Sequence, residues 1–323
     1  MKAFVAGGAG FIGCHLCERL VERGYHVTVV DNLSLGHREF IAPLEARGAL
    51  DFIEMDVTDV DALSALFAER GFDVVFHMAA NSDIARSFAD PMTDFGSTLQ
   101  TTYAVLDAMR RNDVKQIIFA STSAIYGEAQ GKLSEDHGPL LPISHYGAAK
   151  LASEAFISSY VENYGMQAWI TRFPNVVGDR LTHGAIYDFV RKLRRDPTRL
   201  EVLGNGTQTK PYLHADDLVE AILLGWEKLD GKINVYNIGG ETRCSVAKIA
   251  QIVIEEFGGN ARIDYTGGDR GWVGDVPSVD YDVSRVSALG WSPKLDSEGA
   301  IRAAARWMVD STAESGAATD SAA

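Results

Sequence analysis

Two residues in the run HYGAAK, Tyr146 and Lys150, stand four apart. On a helix that spacing puts both side chains on one face, a turn apart. A free phenol has a pKa near ~10, too high for a base at neutral pH. A neighbouring ammonium favours phenolate and lowers that pKa. A tyrosine so tuned can take the proton from an alcohol while hydride leaves the same carbon. The spacing alone is common on surface helices, so its weight depends on its company. One companion is FASTSAIYG, Phe119–Gly127, where an apolar strand runs into four hydroxyl residues: Ser121, Thr122, Ser123 and Tyr126. Hydroxyls at a strand end serve turns as often as chemistry.

The second companion is GGAGFIG, with Gly7, Gly10 and Gly13 between an apolar strand and a helical pattern. The first glycine allows the tight turn, the second close approach of backbone to a pyrophosphate, the third close packing of helix on strand. The helix start supplies free N–H groups and a positive dipole end for that anion. Asp31 then ends the second strand. A carboxylate there accepts hydrogen bonds from a ribose 2′-hydroxyl and repels a 2′-phosphate, which favours NAD over NADP. Asp56 and Val57 follow the third strand, where side chain and backbone can meet the adenine. Met78–Asn81 ends the fourth with small residues, as close cofactor approach requires.

The elements that must position these groups follow from alternation. KAFVA, HVTVV, LDFIEM, DVVFHM, KQIIFA and QAWITRF read as buried strands, with amphipathic stretches between them. Such alternation predicts an α/β fold, a doubly wound parallel sheet of the Rossmann type. Long helices are expected over residues 91–112 and 146–163. After Asn175 the pattern loosens into RLEVLG, PYLHADDLVEAILLGW, NVYNIGG and a helix near 246–257. This reads as a smaller C-terminal α/β lobe woven into the first part. The polar end from Ser311 reads as a disordered tail.

Composition narrows the function classes. A formal charge of −14 over 323 residues argues against nucleic acid, whose phosphates need a basic face. No apolar stretch approaches the ~20 residues of a membrane span. Cys14, Cys17 and Cys244 make no disulfide framework, and the lone Cys14-x-x-Cys17 pair lacks zinc-site company. The reading is a reduced, cytoplasmic protein without a metal.

Taken together, these motifs resemble the extended short-chain dehydrogenase/reductases, specifically the nucleotide-sugar epimerases and dehydratases. The likeness runs from Met1 to about Val309. It rests on GGAGFIG, DNLSLG, the DV at 56–57, HMAA, the hydroxyl strand, YGAAK, RFPNVVG, YLHADD and GDVP. It implies a NAD-binding part over residues 1–175 and a nucleotide-sugar-binding lobe over 176–310. It also implies a homodimer formed through the two long helices. Matched by residue, Gly7, Gly10, Phe11, Ile12, Gly13, Asp31, Asn32, Ser34, Gly36, Asp56, Val57, Ala79, Ala80, Tyr146 and Lys150 are expected at the cofactor. Asn175, Lys210 and Arg270 are expected near the substrate diphosphate.

The departures from that pattern carry information. Thr98 stands where Asn is usual, and Thr101-Thr102 where Gly-Thr is usual. His145 replaces Pro or Ser before the tyrosine. Lys210 and Trp272 stand where arginines often clamp the diphosphate, and Lys does not reproduce a bidentate guanidinium. Val279 falls where some epimerases set pocket size. Three reactions of the family share a first step, in which Tyr146 takes the C4 hydroxyl proton, Thr122 bonds the same oxygen and hydride passes to NAD. A dehydratase also needs an acid and a base, in the family an Asp-Glu pair directly after the threonine. Here those places hold Ser123 and Ala124. Alanine moves no proton and serine is a poor acid or base. The expectation is a 4-epimerase of an NDP-hexose. A 4-dehydrogenase or 4-ketoreductase with the same residues is the alternative. A non-catalytic NAD-binding sensor is disfavoured, since Tyr146 and Lys150 are both kept.

Overall fold

The structure, a computed structural model, describes residues 1–82, 84–268 and 280–320. Seven strands make the central sheet: β1 Lys2–Ala6, β2 His26–Asp31, β3 Leu50–Glu54, β4 Val74–His77, β5 Gln116–Ala120, β6 Gln167–Arg172 and β7 Ile233–Asn237. Their order is β7-β6-β5-β4-β1-β2-β3, and every pair is parallel. Strands covered on both faces must be apolar almost throughout, and β1, β2 and β4 are buried nearly end to end. The order reverses between β1 and β4. Loops leaving the two strands there diverge and open a crevice at their C-terminal ends.

Helices α1 Phe11–Glu22, α2 Val60–Arg70, α3 Thr101–Arg111, α4 His145–Tyr164, α5 Ala185–Arg195, α6 Ala215–Lys228, α7 Val246–Glu256 and α8 Ser297–Asp320 complete the layers. α1 and α6 bury Leu16, Leu20, Leu218 and Ile222 on one face of the sheet. α2, α3 and α4 bury Phe67, Val105, Met109 and Ile157 on the other. α4 starts where the Ser144 hydroxyl accepts the Gly147 N–H, and it stops at left-handed Gly165.

The lobe packs α5, α7 and α8 around Phe189, Leu200, Ile249 and Ile301. Residues 199–202 there pair in parallel with 262–265. The chain after Asn175 returns to the large sheet twice. α6 covers the large sheet, and NVYNIGG supplies β7, its seventh strand, beside β6. An open β6 edge with apolar faces demands such a partner, whatever lies between them in sequence. Two further points concern helices. The stretch expected as one helix over 91–112 holds Met92–Asp94, then a π-helical turn Phe95–Gln100, then α3. α8 is continuous from Ser297 to Asp320, across the point at Ser311 where the sequence turns small and polar.

A buried ion pair ties sheet to helix. At the end of β6, Arg172 donates to Glu154 of α4 through Nε at 3.1 Å and Nη2 at 2.7 Å. Both side chains are buried. Removing one partner strands the other charge. Glu154→Ala is expected to destabilise the fold by about 3–5 kcal/mol, read by urea unfolding.

Candidate active site

The C-terminal ends of β1, β2, β4 and β5 open into one cavity of about 1060 Å³ that continues into the lobe. Of the site residues expected from sequence, all but Arg270 line it. Arg270, Trp272 and Val279 lie outside the described residues.

At one end stands the glycine turn. A Cβ on Gly13 would sit 2.1 Å from the Gly7 carbonyl oxygen, and one on Gly7 would sit 2.6 Å from the Ala79 nitrogen. The backbone therefore closes only without side chains at these places. Gly10 caps α1 with no side-chain bond to its first N–H groups, which leaves that end open to an anion. Asp31 accepts N–H groups from Ala9 at 3.1 Å and Leu33 at 2.9 Å, which fixes its carboxylate at the cavity wall. A Cβ on Gly36 would strike that carboxylate at 2.7 Å. Asp56 accepts from Asn32 Nδ2 at 3.0 Å and joins the second and third strand ends. These groups fit a dinucleotide: backbone donors for a pyrophosphate, a carboxylate for a ribose.

In the middle, α4 presents Tyr146 and Lys150. The Lys150 ammonium donates to the Ala120 carbonyl at 2.5 Å and lies 6.0 Å from the centre of the Tyr146 ring. Burial holds Lys150 down to about 7. Burial also pushes the Tyr146 phenol up to about 12; the Thr122 hydroxyl offsets part of this by hydrogen bonding, and the Asp94 carboxylate adds to it. Lys150 is not among the groups that offset this push in the ligand-free protein. The lysine is spent on a backbone carbonyl at this distance, and desolvation dominates.

The hydroxyl strand end divides by role. Thr122 caps a single 3₁₀ turn by accepting the Ala124 N–H at 3.1 Å. Thr122, Ser123 and Ala124 line the cavity, whereas Tyr126 is core rather than cavity wall. The Tyr126 hydroxyl donates to Asn237 Oδ1 at 2.7 Å and accepts from Arg172 at 3.1 Å. Ser121 donates to Glu154, behind the site. Thr98 and its neighbours also find roles. The Thr98 hydroxyl accepts the Asn81 N–H at 3.2 Å, and its carbonyl takes the hydroxyls of Thr101 at 2.9 Å and Thr102 at 2.8 Å. His145 opens α4 and is exposed.

Asn175 and Lys210 line the far end with Leu203 and Tyr212. Sequence reasoning missed Tyr281 and Gln208 in this wall. Neither sits in a motif with chemistry, and only the pairing of distant strands brings them in.

A glycine turn at the sheet's switch point, an acid at the next strand end and a Tyr/Lys helix define a nucleotide-dependent dehydrogenase-type site. The comparisons give the family. Residues 3–239 match the model of the NAD dependent epimerase/dehydratase family. The chain belongs to that family, which is NAD dependent. It is 31% identical over 309 residues to a putative UDP-glucose 4-epimerase of Methanocaldococcus jannaschii, covering 94% of this chain and 97% of that protein. It superposes on UDP-glucose 4-epimerase of Thermotoga maritima, solved with UDP-glucose (TM-score 0.87, 31% identity, 97% and 100% of the two chains). It also resembles UDP-glucuronic acid 4-epimerase of Bacillus cereus, solved with UDP-glucuronic acid and NAD (TM-score 0.84, 30% identity, 95% and 99%).

The Lys150 shift has a thermodynamic consequence. Its folded pKa lies below the unfolded value of ~10.5, so between them the unfolded chain binds more protons and stability rises with pH. From pH 7 to 8.5, cofactor-free protein is expected to gain about 1–2 kcal/mol from this group. Urea unfolding at the two pH values checks it, and the gain should vanish in Lys150→Met.

Proposed function

We propose that this chain is a NAD-dependent UDP-sugar 4-epimerase working through a transient 4-keto sugar. The carrying observation is the turn after β5. Thr122 stands beside Tyr146, while the next two cavity-lining residues are Ser123 and Ala124. Dehydration needs a further acid and base, and the two places directly after the threonine hold a serine and an alanine instead. Epimerisation needs only that the sugar turn between two hydride transfers.

In this reading Tyr146 takes the proton from the C4 hydroxyl and Thr122 holds the same oxygen. When bound, NAD would supply the hydride acceptor. Lys150, fixed by the Ala120 carbonyl, would hold the nicotinamide ribose. Thr122 and Tyr146 then face the keto oxygen, and Tyr146 returns its proton after the sugar has turned. Asn175 and Lys210 line the lobe end, where the diphosphate belongs. The UDP-sugar epimerases that this chain resembles support UDP as the nucleotide.

Two measurements test this. Purified protein should interconvert C4 epimers of UDP-glucose, UDP-arabinose or UDP-glucuronic acid without added cofactor. Stoichiometric NADH release or a 4-keto-6-deoxy product would sink the reading. Tyr146→Phe should cut kcat at least about 10²-fold, as loss of a general base does, with UDP-sugar binding kept.

The working form in this reading is a homodimer. Phe95 precedes α3, Tyr103 lies on it and Phe156 on α4; all three are exposed. The rings of Tyr103 and Phe156 meet at 5.8 Å. Exposed aromatic patches of this kind mark interfaces. The double variant Tyr103→Arg, Phe156→Arg should sediment as a monomer while the wild type sediments as a dimer; a monomeric wild type refutes the pairing.

A further inference from the structure

The turn that leads into the lobe, Gly178 to Gly184, follows the short strand Asn175–Val177. Within it Arg180 has a φ of 65°, in the left-handed region. That region crowds any residue with a Cβ. Such a conformation persists only where its surroundings over-determine it, and it is often found beside functional sites. The turn itself is cavity wall, since Leu181–Gly184 line the space that the glycine turn and the end of β2 open into.

The Arg180 side chain supplies what holds it there. Its Nη2 donates to the Glu18 carboxylate of α1 at 2.9 Å, and its Nη1 to the Phe40 carbonyl at 3.4 Å. Phe40 ends the 3₁₀ turn that follows the Asp31–Gly36 loop, and just before that turn the His37 N–H donates to the Ala9 carbonyl at 2.9 Å. One guanidinium therefore joins the lobe's first turn, α1 and the loop after β2. Beside it the buried His15 ring of α1 stands between the Asp179 carbonyl, 3.0 Å from Nε2, and the Asp216 carboxylate, 3.1 Å from Nδ1. The same ring meets Phe11 edge-on, with centroids 5.8 Å apart and planes at 89°. Phe11 lines the cavity and also packs against the lobe core. Arg180, Glu18 and His15 thus stand behind the cavity wall rather than in it.

We propose that Arg180, seconded by His15, is a positioning residue for the dinucleotide: it clamps the lobe's first turn to the back of α1 and to the loop after β2, and so fixes the spacing of the cavity walls. The wall on one side carries the anion-binding helix start and the Asp31 carboxylate. The wall on the other is Leu181–Gly184. Without the clamp each wall keeps its own fold, but the gap between them is free to widen, and a ligand that spans it then has to close it at the expense of affinity. The left-handed backbone at Arg180 turns its guanidinium back on α1 while the chain goes on to line the cavity. The inference rests on the family's NAD dependence and not on the epimerase reading, and its readouts need no turnover.

The test uses protein stripped of cofactor, with NAD affinity read by calorimetry and stability by urea unfolding. Arg180→Gly removes the clamp and suits the left-handed backbone. It should weaken NAD binding about tenfold, the low end of what hydrogen bonds to a charged group are worth. The unfolding midpoint should move little, because relief of the backbone offsets the lost ion pair. Arg180→Lys keeps the charge without the fork and should fall between variant and wild type. Glu18→Gln cuts the same clamp from the α1 side and should also weaken NAD binding; added to Arg180→Gly it should cause no further loss. If Arg180→Gly does not fold, Arg180→Lys and Glu18→Gln decide the matter by the same two readouts. A lower midpoint with NAD affinity unchanged makes the clamp merely structural and overturns the inference. Losses that add in the double variant, or a wild type that binds no NAD, overturn it as well.

Discussion

The ion pair between Glu154 and Arg172 joins nearly every part that the site needs. Glu154 lies one turn beyond Lys150 on α4, so holding it sets the depth of that helix against the sheet. The same carboxylate takes the Ser121 hydroxyl, which fixes the residue before Thr122. Arg172 meanwhile donates to the Tyr126 hydroxyl and to the Glu135 carbonyl. Glu135 in turn accepts the Asn237 N–H at 2.7 Å. One buried charge pair thus sets the relative positions of α4, the hydroxyl turn and the end of β7. Burying such a pair is expensive and stabilises only when every remaining lone pair is used. Here the bonds to Ser121, Tyr126 and Glu135 do that.

The site behind this frame combines two opposite uses of burial. Around Gly7, Gly10 and Gly13 the chain keeps side chains out, so that backbone donors stay open at the start of α1. Around Tyr146 and Lys150 it packs side chains in, and desolvation pushes the phenol up and the ammonium down. Both groups are thereby driven towards their neutral forms. A positive charge placed beside the phenol would offset that push.

Much of this was legible in the sequence, for physical reasons that differ by part. Strands β1 to β6 are short apolar runs that only a doubly covered sheet can bury, and the glycine spacing admits few backbones. Tyr146 and Lys150 were legible because helical periodicity places them together. β7 was legible as a strand but not as a member of the large sheet, since sheet membership depends on which edge is left open. Tyr126 could not be told apart from Ser121, Thr122 and Ser123 in sequence, because hydroxyls beside a site look alike there; its bond to Asn237, more than a hundred residues on, places it in the core. Tyr281 and Gln208 were invisible for the same reason. The π-helical turn at Phe95–Gln100 was hidden too. Nothing in its residue types announces a widened turn.

The return of the chain to form β7 also bears on how the protein is made. Until residues 233–237 leave the ribosome, β6 presents a bare row of backbone donors and acceptors on an apolar ribbon. The lobe segment from Asn175 onward is synthesised during that interval. The nascent protein therefore carries a sticky sheet margin through the synthesis of some sixty residues, roughly several seconds at ordinary translation rates. Chaperone demand and sensitivity to translational pausing follow from strand order alone.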